Sequence, residues 1–128
     1  MAERTEILII DDDALILKSL KKLLEYDYEV HATTDAFEGL EILKDKPIRL
    51  IICDHRMPKM NGLEFYLKVK ELYPEKPIYK IIYSGYSEME KDMFKMIQSK
   101  VINEFITKSC PTEMLYKTVM NGIQKVIR

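Results

Sequence analysis

Short continuous apolar runs recur along the chain, each stopped by polar or turn-forming residues. Ile7-Leu8-Ile9-Ile10 stops at Asp11-Asp12-Asp13. Leu50-Ile51-Ile52-Cys53 stops at Asp54, with Pro58 and Asn61-Gly62 close behind. Runs of this length closed by breakers predict strands buried on both faces of a parallel sheet. Ile78 to Tyr83, stopping at Ser84-Gly85, and the shorter Glu104-Phe105-Ile106, delivering Thr107 and Lys108, predict two more. Tyr28 to Ala32 alternates only weakly and predicts a more exposed strand, with His31 an ordinary surface side chain.

Helical spacing fills the intervals. From Ala14 to Tyr26, Ile16, Leu20, Leu23 and Leu24 recur opposite Lys18, Lys21 and Lys22, and Asp13 is placed to cap that helix. Thr34 or Asp35 can cap a second helix carrying Phe37, Leu40 and Leu43 and stopping near Pro47. A third runs from Gly62 to about Tyr73 on Leu63, Tyr66, Leu67, Val69 and Leu72, ended by Pro74 and Pro77. Ser87 to Ser99 predicts a fourth, with Met89, Met93, Phe94 and Ile97 inward in a Met-rich, adaptable stripe. Pro111-Thr112 opens the last, with Leu115, Val119, Ile123 and Val126 apolar. Five strands alternating with five helices across short connections predict an α/β fold with a doubly wound parallel sheet. No repeat or linker interrupts the pattern, so residues 1–128 read as one domain.

Composition narrows the function classes. A net charge of −1, from 20 basic and 21 acidic side chains, gives no overall pull towards nucleic acid or an anionic membrane. Lys18, Lys21 and Lys22 read as a solvated helix face. Cys53 and Cys110 lie outside any CxxC spacing and no His cluster joins them, so they read as packing thiols in a reducing compartment. The N-terminal apolar run is too short for a signal peptide, and no apolar stretch is long enough to span a membrane. The expected location is cytoplasmic.

The chemistry sits at the strand ends. A doubly wound sheet brings the C-terminal ends of its central strands to one edge. Here those ends carry Asp11 and Asp12, Asp54, Ser84 and Lys108. Carboxylates gathered there repel one another unless a cation sits among them, and oxygen ligands alone favour a hard ion such as Mg²⁺. A hydroxyl and an ammonium on the opposite side complete an arrangement for holding a phosphoryl group on a carboxylate, with Asp54 as the nucleophile. Each residue alone has a plainer reading as a cap, a turn or a solvated charge. Their joint placement carries the inference.

With those residues the chain resembles the receiver domains of bacterial two-component response regulators over essentially its whole length. IIDDD is similar to the family's acidic pair after the first strand. ICDHRMPKMNG is similar to its D-x-x-M-P-x-M-x-G signature, YSGY to its Ser/Thr followed by a small residue, and FITK to its aromatic and lysine. The resemblance implies the flavodoxin-like receiver fold, five parallel strands in order 2-1-3-4-5. It implies that Asp54 accepts phosphate from a sensor histidine kinase or phosphotransfer protein. Asp11, Asp12, Asp54 and the backbone carbonyl of Arg56 would hold Mg²⁺, and Ser84 and Lys108 would bind phosphoryl oxygens. Ser84 and Phe105 would form the switch that repacks the surface of helix 4, strand 5 and helix 5 towards a partner or an attached output domain. The implied role is signalling, not enzymatic turnover, with neither DNA nor membrane bound directly, and it leaves room for a homodimer formed on phosphorylation.

Some residues depart from that family or qualify it. The usual Lys-Pro with its cis peptide is Lys108-Ser109 here, and a cis bond before a non-proline costs roughly 2.5–4 kcal/mol. Arg56 and Tyr86 flank the expected phosphoryl position and would slow water's access. Gly85 would keep the entrance to Asp54 open. His55 reads as a bystander, because successive strand-end side chains point apart. Two rivals compete. A haloacid-dehalogenase-type phosphatase would use Asp11-Asp12-Asp13 but needs a later acidic pair, and only Glu113 follows Lys108. A binding-only receiver would ordinarily lack an acid or the lysine.

Overall fold

A computed structural model of the chain describes residues 4–85 and 90–127. Chain order is β1 (Glu6–Ile10), α1 (Ala14–Leu24), β2 (Glu29–Thr33), α2 (Ala36–Asp45), β3 (Ile48–Cys53), α3 (Gly62–Leu72), β4 (Tyr79–Ser84), α4 (Glu90–Gln98), β5 (Glu104–Thr107) and α5 (Thr112–Val126). The strands form one parallel sheet in the order β2-β1-β3-β4-β5. The chain leaves β1 outwards to β2 and returns to β3 on the other side. The switch point, and the crevice that goes with it, therefore lies at the C-terminal ends of β1 and β3.

Strand side chains alternate between two cores. Leu8, Ile10, Ile51, Cys53 and Ile82 face α2, α3 and α4, meeting Leu43, Phe65, Tyr66, Val69 and Met93. Ile7, Ile9, Leu50, Ile52 and Ile81 face α1 and α5, meeting Leu17, Leu20, Leu24, Leu115, Val119 and Ile123. Burial on both faces is why β1 and β3 read as unbroken apolar runs. Tyr66 adds a polar tie inside the first core. Its hydroxyl lies 2.6 Å from the Ile81 carbonyl and 3.1 Å from that of Ile51, and accepts the Ile81 N–H at 3.1 Å. That side chain on α3 thereby bonds both β3 and β4.

Local chemistry starts the helices where expected. Asp13 accepts from the Leu15 N–H and Asp35 from the Phe37 N–H, each at 2.9 Å. Asn61 and Glu64 form a reciprocal capping box at the start of α3.

Several expectations are corrected. Helix α1 stops at Leu24, and Leu17 is buried while Ile16 is only partly so. On α3, Leu67 and Leu72 are exposed and Phe65 is fully buried. Phe37 and Phe94 also face solvent, Phe94 at 65% exposure. In each case the apolar arc is broad, so spacing alone does not decide which residues at its edges are covered. His31 is not an ordinary surface side chain: it is half-buried, with Nε2 2.8 Å from Glu6 Oε1. The expected start of the fourth helix at Ser87, and Met89, lie outside the described residues.

Candidate functional site

Each strand-end residue is held by one hydrogen bond that extends the sheet past its last paired residue. Asp54 N–H donates to the Ile10 carbonyl at 2.9 Å, and Asp11 N–H to that of Thr33 at 3.3 Å. Lys108 N–H donates to the Ser84 carbonyl at 2.9 Å, next to the Ser84–Thr107 register pair. The site thus inherits the rigidity of the ladder.

Asp11, Asp12, Asp54 and Lys108 come together. Asp11, Asp12 and Asp54 each offer a carboxylate oxygen, and these lie within 4.8 Å of one another. Asp11 and Asp54 are buried, Asp12 is exposed, and Ser84 is fully buried. The Lys108 ammonium reaches into the cluster, 2.9 Å from Asp11 Oδ2 and 3.3 Å from Asp54 Oδ1. Among the described residues no peptide bond is cis, so Lys108-Ser109 is trans, and the lysine stem still delivers its charge. Arg56 lies exposed two residues beyond Asp54, and Tyr86 lies outside the described residues. Among the described residues, a Cβ on Gly85 would meet nothing within 4 Å. Phe105, half-buried, packs against the α2–α3–α4 core beside a groove of about 310 Å³ between α4 and β5.

Electrostatics define what the cluster lacks. Burial, then the charge of Asp11, raise the Asp54 carboxyl from 3.8 to about 6, against the opposing charge and hydrogen bond of Lys108. Burial works to lower the Lys108 ammonium, but its bond to Asp11 and the charges of Asp11 and Asp54 raise it on balance. One cation does not compensate the acids. Asp11 Oδ1 accepts the Asp13 N–H at 2.9 Å, while Oδ2 meets the Lys108 ammonium at 2.9 Å and no other hydrogen-bonding group among the described residues. A buried carboxylate oxygen with acceptor capacity to spare, in an all-oxygen donor set, fits a hard divalent ion such as Mg²⁺.

Two neighbours matter more than the pattern of residues suggested. Gly62 opens α3 directly under the acceptor: a Cβ there would lie 2.6 Å from the Asp54 carbonyl oxygen and 3.0 Å from His55 Cα. Its N–H donates to the His55 carbonyl at 2.9 Å, which tucks the helix start under the strand end. The Asn-Gly pair signals a turn, and nothing local signals that close approach. His55, which the strand pattern reads as a bystander, is buried. Cys53, protonated because burial and then Asp54 and Asp11 raise its thiol, donates to the Asp54 carbonyl at 3.2 Å and serves packing.

Residues 7–120 match the family described as the response regulator receiver domain. The chain is similar to the hydrogenase transcriptional regulatory protein HoxA of Bradyrhizobium diazoefficiens, 33% identical over 97% of this chain and 25% of HoxA. It is 28% identical to the transcriptional regulatory protein GlrR of Escherichia coli, over 93% of this chain and 26% of GlrR. It spans about a quarter of the length of these relatives. Among solved structures, a CheY-like response regulator receiver domain protein from Methanospirillum hungatei superposes with a TM-score of 0.84 at 30% identity, over 96% of each chain. One from Clostridium thermocellum superposes with a TM-score of 0.82 at 29% identity, over 94% of this chain and 95% of that one.

Proposed function

The chain belongs to the response regulator receiver family, and from that premise we propose that Asp54 is a phosphoryl acceptor served by a phosphohistidine donor. One observation carries the reading: a buried strand-end carboxylate, Asp54, clustered with the carboxylates of Asp11 and Asp12 and reached by the Lys108 ammonium, which touches both Asp11 and Asp54. An Asp54 oxygen attacks phosphorus as the P–N bond of the donor breaks, and the departing imidazole nitrogen takes its proton from solvent. Asp11, Asp12, Asp54 and the Arg56 carbonyl would hold Mg²⁺, which when bound supplies positive charge to the phosphoryl oxygens. Lys108 and Ser84 contact those oxygens from the opposite side.

Asp54 gains negative charge and bulk on phosphorylation, and Ser84 turns towards the new oxygens. Phe105 follows into the space Ser84 leaves, and the α4–β5–α5 surface repacks. Differential contact of Ser84 and Lys108 with the phosphorylated and free forms sets that balance. The partner is a sensor histidine kinase or phosphotransfer protein on the input side. On the output side, it is a protein or an attached domain reading the repacked surface. HoxA and GlrR are named as transcriptional regulators and are about four times as long, which supports an attached output domain. Among the described residues no helix is long and apolar enough to cross a membrane.

Intact-protein mass after incubation with acetyl phosphate and Mg²⁺ tests this. A phosphoryl adduct in the wild type, absent from Asp54→Ala and from wild type in excess EDTA, is the expected result. An adduct that survives Asp54→Ala would overturn the assignment. Its absence from wild type would favour a binding-only domain.

A further inference from the structure

His55 is anomalous. It is only 5% exposed, and among the described residues its Nδ1 has no hydrogen-bond partner. Buried polar atoms nearly always find one, since stranding one forfeits its hydration without return. The backbone cannot move to seek one: the His55 carbonyl is tied to the Gly62 N–H, and Gly62 packs against its Cα. A partner has to come to the imidazole.

Among the described residues, the charges of Asp92 of α4, of Arg56, and of Glu64 of α3 act on the ring. An imidazole always carries at least one N–H to donate. Glu64 already accepts the Asn61 N–H in the α3 capping box, and Arg56 is a donor only. Asp92 is an exposed carboxylate in the first turn of α4. That helix is lightly anchored: among its described side chains only Met93 is fully buried, and the groove beside Phe105 leaves room along its flank.

We propose that His55 is a positioning residue whose Nδ1–H is left waiting in the free protein and bonds the Asp92 carboxylate when α4 repacks over a phosphorylated Asp54. The proposal rests on the phosphoryl-acceptor reading above. The stranded donor disfavours the free arrangement and the new bond favours the loaded one, so His55 biases the switch without touching the phosphoryl group.

Imidazole ¹⁵N spectra test it directly, because His31 and His55 are the chain's two histidines and His55→Phe assigns the signals. The probe is beryllofluoride with Mg²⁺, a mimic of the phosphoryl group. On loading, the His55 Nδ1 signal should move to that of a hydrogen-bonded N–H, and Asp92→Ala should abolish the change. Beryllofluoride affinity should fall about five-fold in Asp92→Ala and in His55→Phe, and no further in the double variant. Because Asp92 is exposed, its variant reports even if His55→Phe folds poorly. A His55 signal unmoved on loading, or moved equally in Asp92→Ala, overturns the latch alone. So does affinity lost in His55→Phe but kept in Asp92→Ala, which would be packing. Failure of the wild type to take up beryllofluoride overturns the acceptor reading and the latch with it.

Discussion

Replacing Asp54 by Asn should stabilise the metal-free protein, by an amount that depends on pH. The Asp54 carboxyl rises from 3.8 to about 6 on folding, chiefly by burial and then by the charge of Asp11. A group whose folded value lies above its unfolded one favours folding when protonated. That contribution is complete below the unfolded value and is lost as pH rises through about 6. The rise is roughly two pK units at about 1.36 kcal/mol each, so ionised Asp54 costs the fold about 3 kcal/mol above neutral pH. Asn keeps the shape and an acceptor oxygen for Lys108 but never ionises. The variant should therefore exceed wild type by about 3 kcal/mol near pH 7.5, and by only about 1 kcal/mol near pH 4.5. Urea unfolding followed by circular dichroism in EDTA at several pH values measures the gap. Added Mg²⁺ should narrow it at the higher pH, because the ion binds folded wild type better than folded variant. A gap that stays constant across the range, or a variant less stable than wild type near pH 7.5, would refute the electrostatic argument.

Three further outcomes are expected. Gly62→Ala drives a Cβ to 2.6 Å from the Asp54 carbonyl oxygen and 2.7 Å from Ile82 Cδ1, and the first contact is backbone that cannot yield. It should cost about 1–3 kcal/mol in thermal unfolding and lower the acetyl phosphate adduct yield as well. Tyr66→Phe removes the hydroxyl that bonds β3 and β4 and strands buried backbone groups, so the urea midpoint should drop by the equivalent of about 1–3 kcal/mol with adduct formation retained. Lys100, at φ 63° just past α4, follows a helix end closed by the Val101 N–H to the Met96 carbonyl at 2.8 Å, and Lys100→Gly should raise stability by about 1 kcal/mol. An unchanged or lower melting temperature there would count against strain at that residue.

The amino-acid sequence by itself determined the layout and the chemical types at the site. Ile7–Ile10 and Leu50–Cys53 are apolar without interruption because both faces of their strands are covered, and each run ends where its carboxylate begins. Parallel strands joined by short helical connections leave those ends on one edge, so Asp11, Asp12, Asp54, Ser84 and Lys108 converge without any knowledge of packing. The cap at Asp13, and the choice of Thr34 or Asp35 for the next helix, were legible for a similar reason: a side chain bonding its own neighbouring backbone needs no distant partner. Only the tertiary structure decided the rest. It turned Phe65 inward and Leu67, Leu72 and Phe94 outward, paired His31 with Glu6 across neighbouring strands, and set the Tyr66 hydroxyl against two strands. It also buried His55 with its Nδ1 left without a partner among the described residues, pressed Gly62 under Asp54, and raised the proton affinity of the acceptor. Periodicity records how often a side chain recurs on a face but not which neighbour covers that face. Contacts and burial between segments distant in the chain exist only once the sheet and helices are assembled.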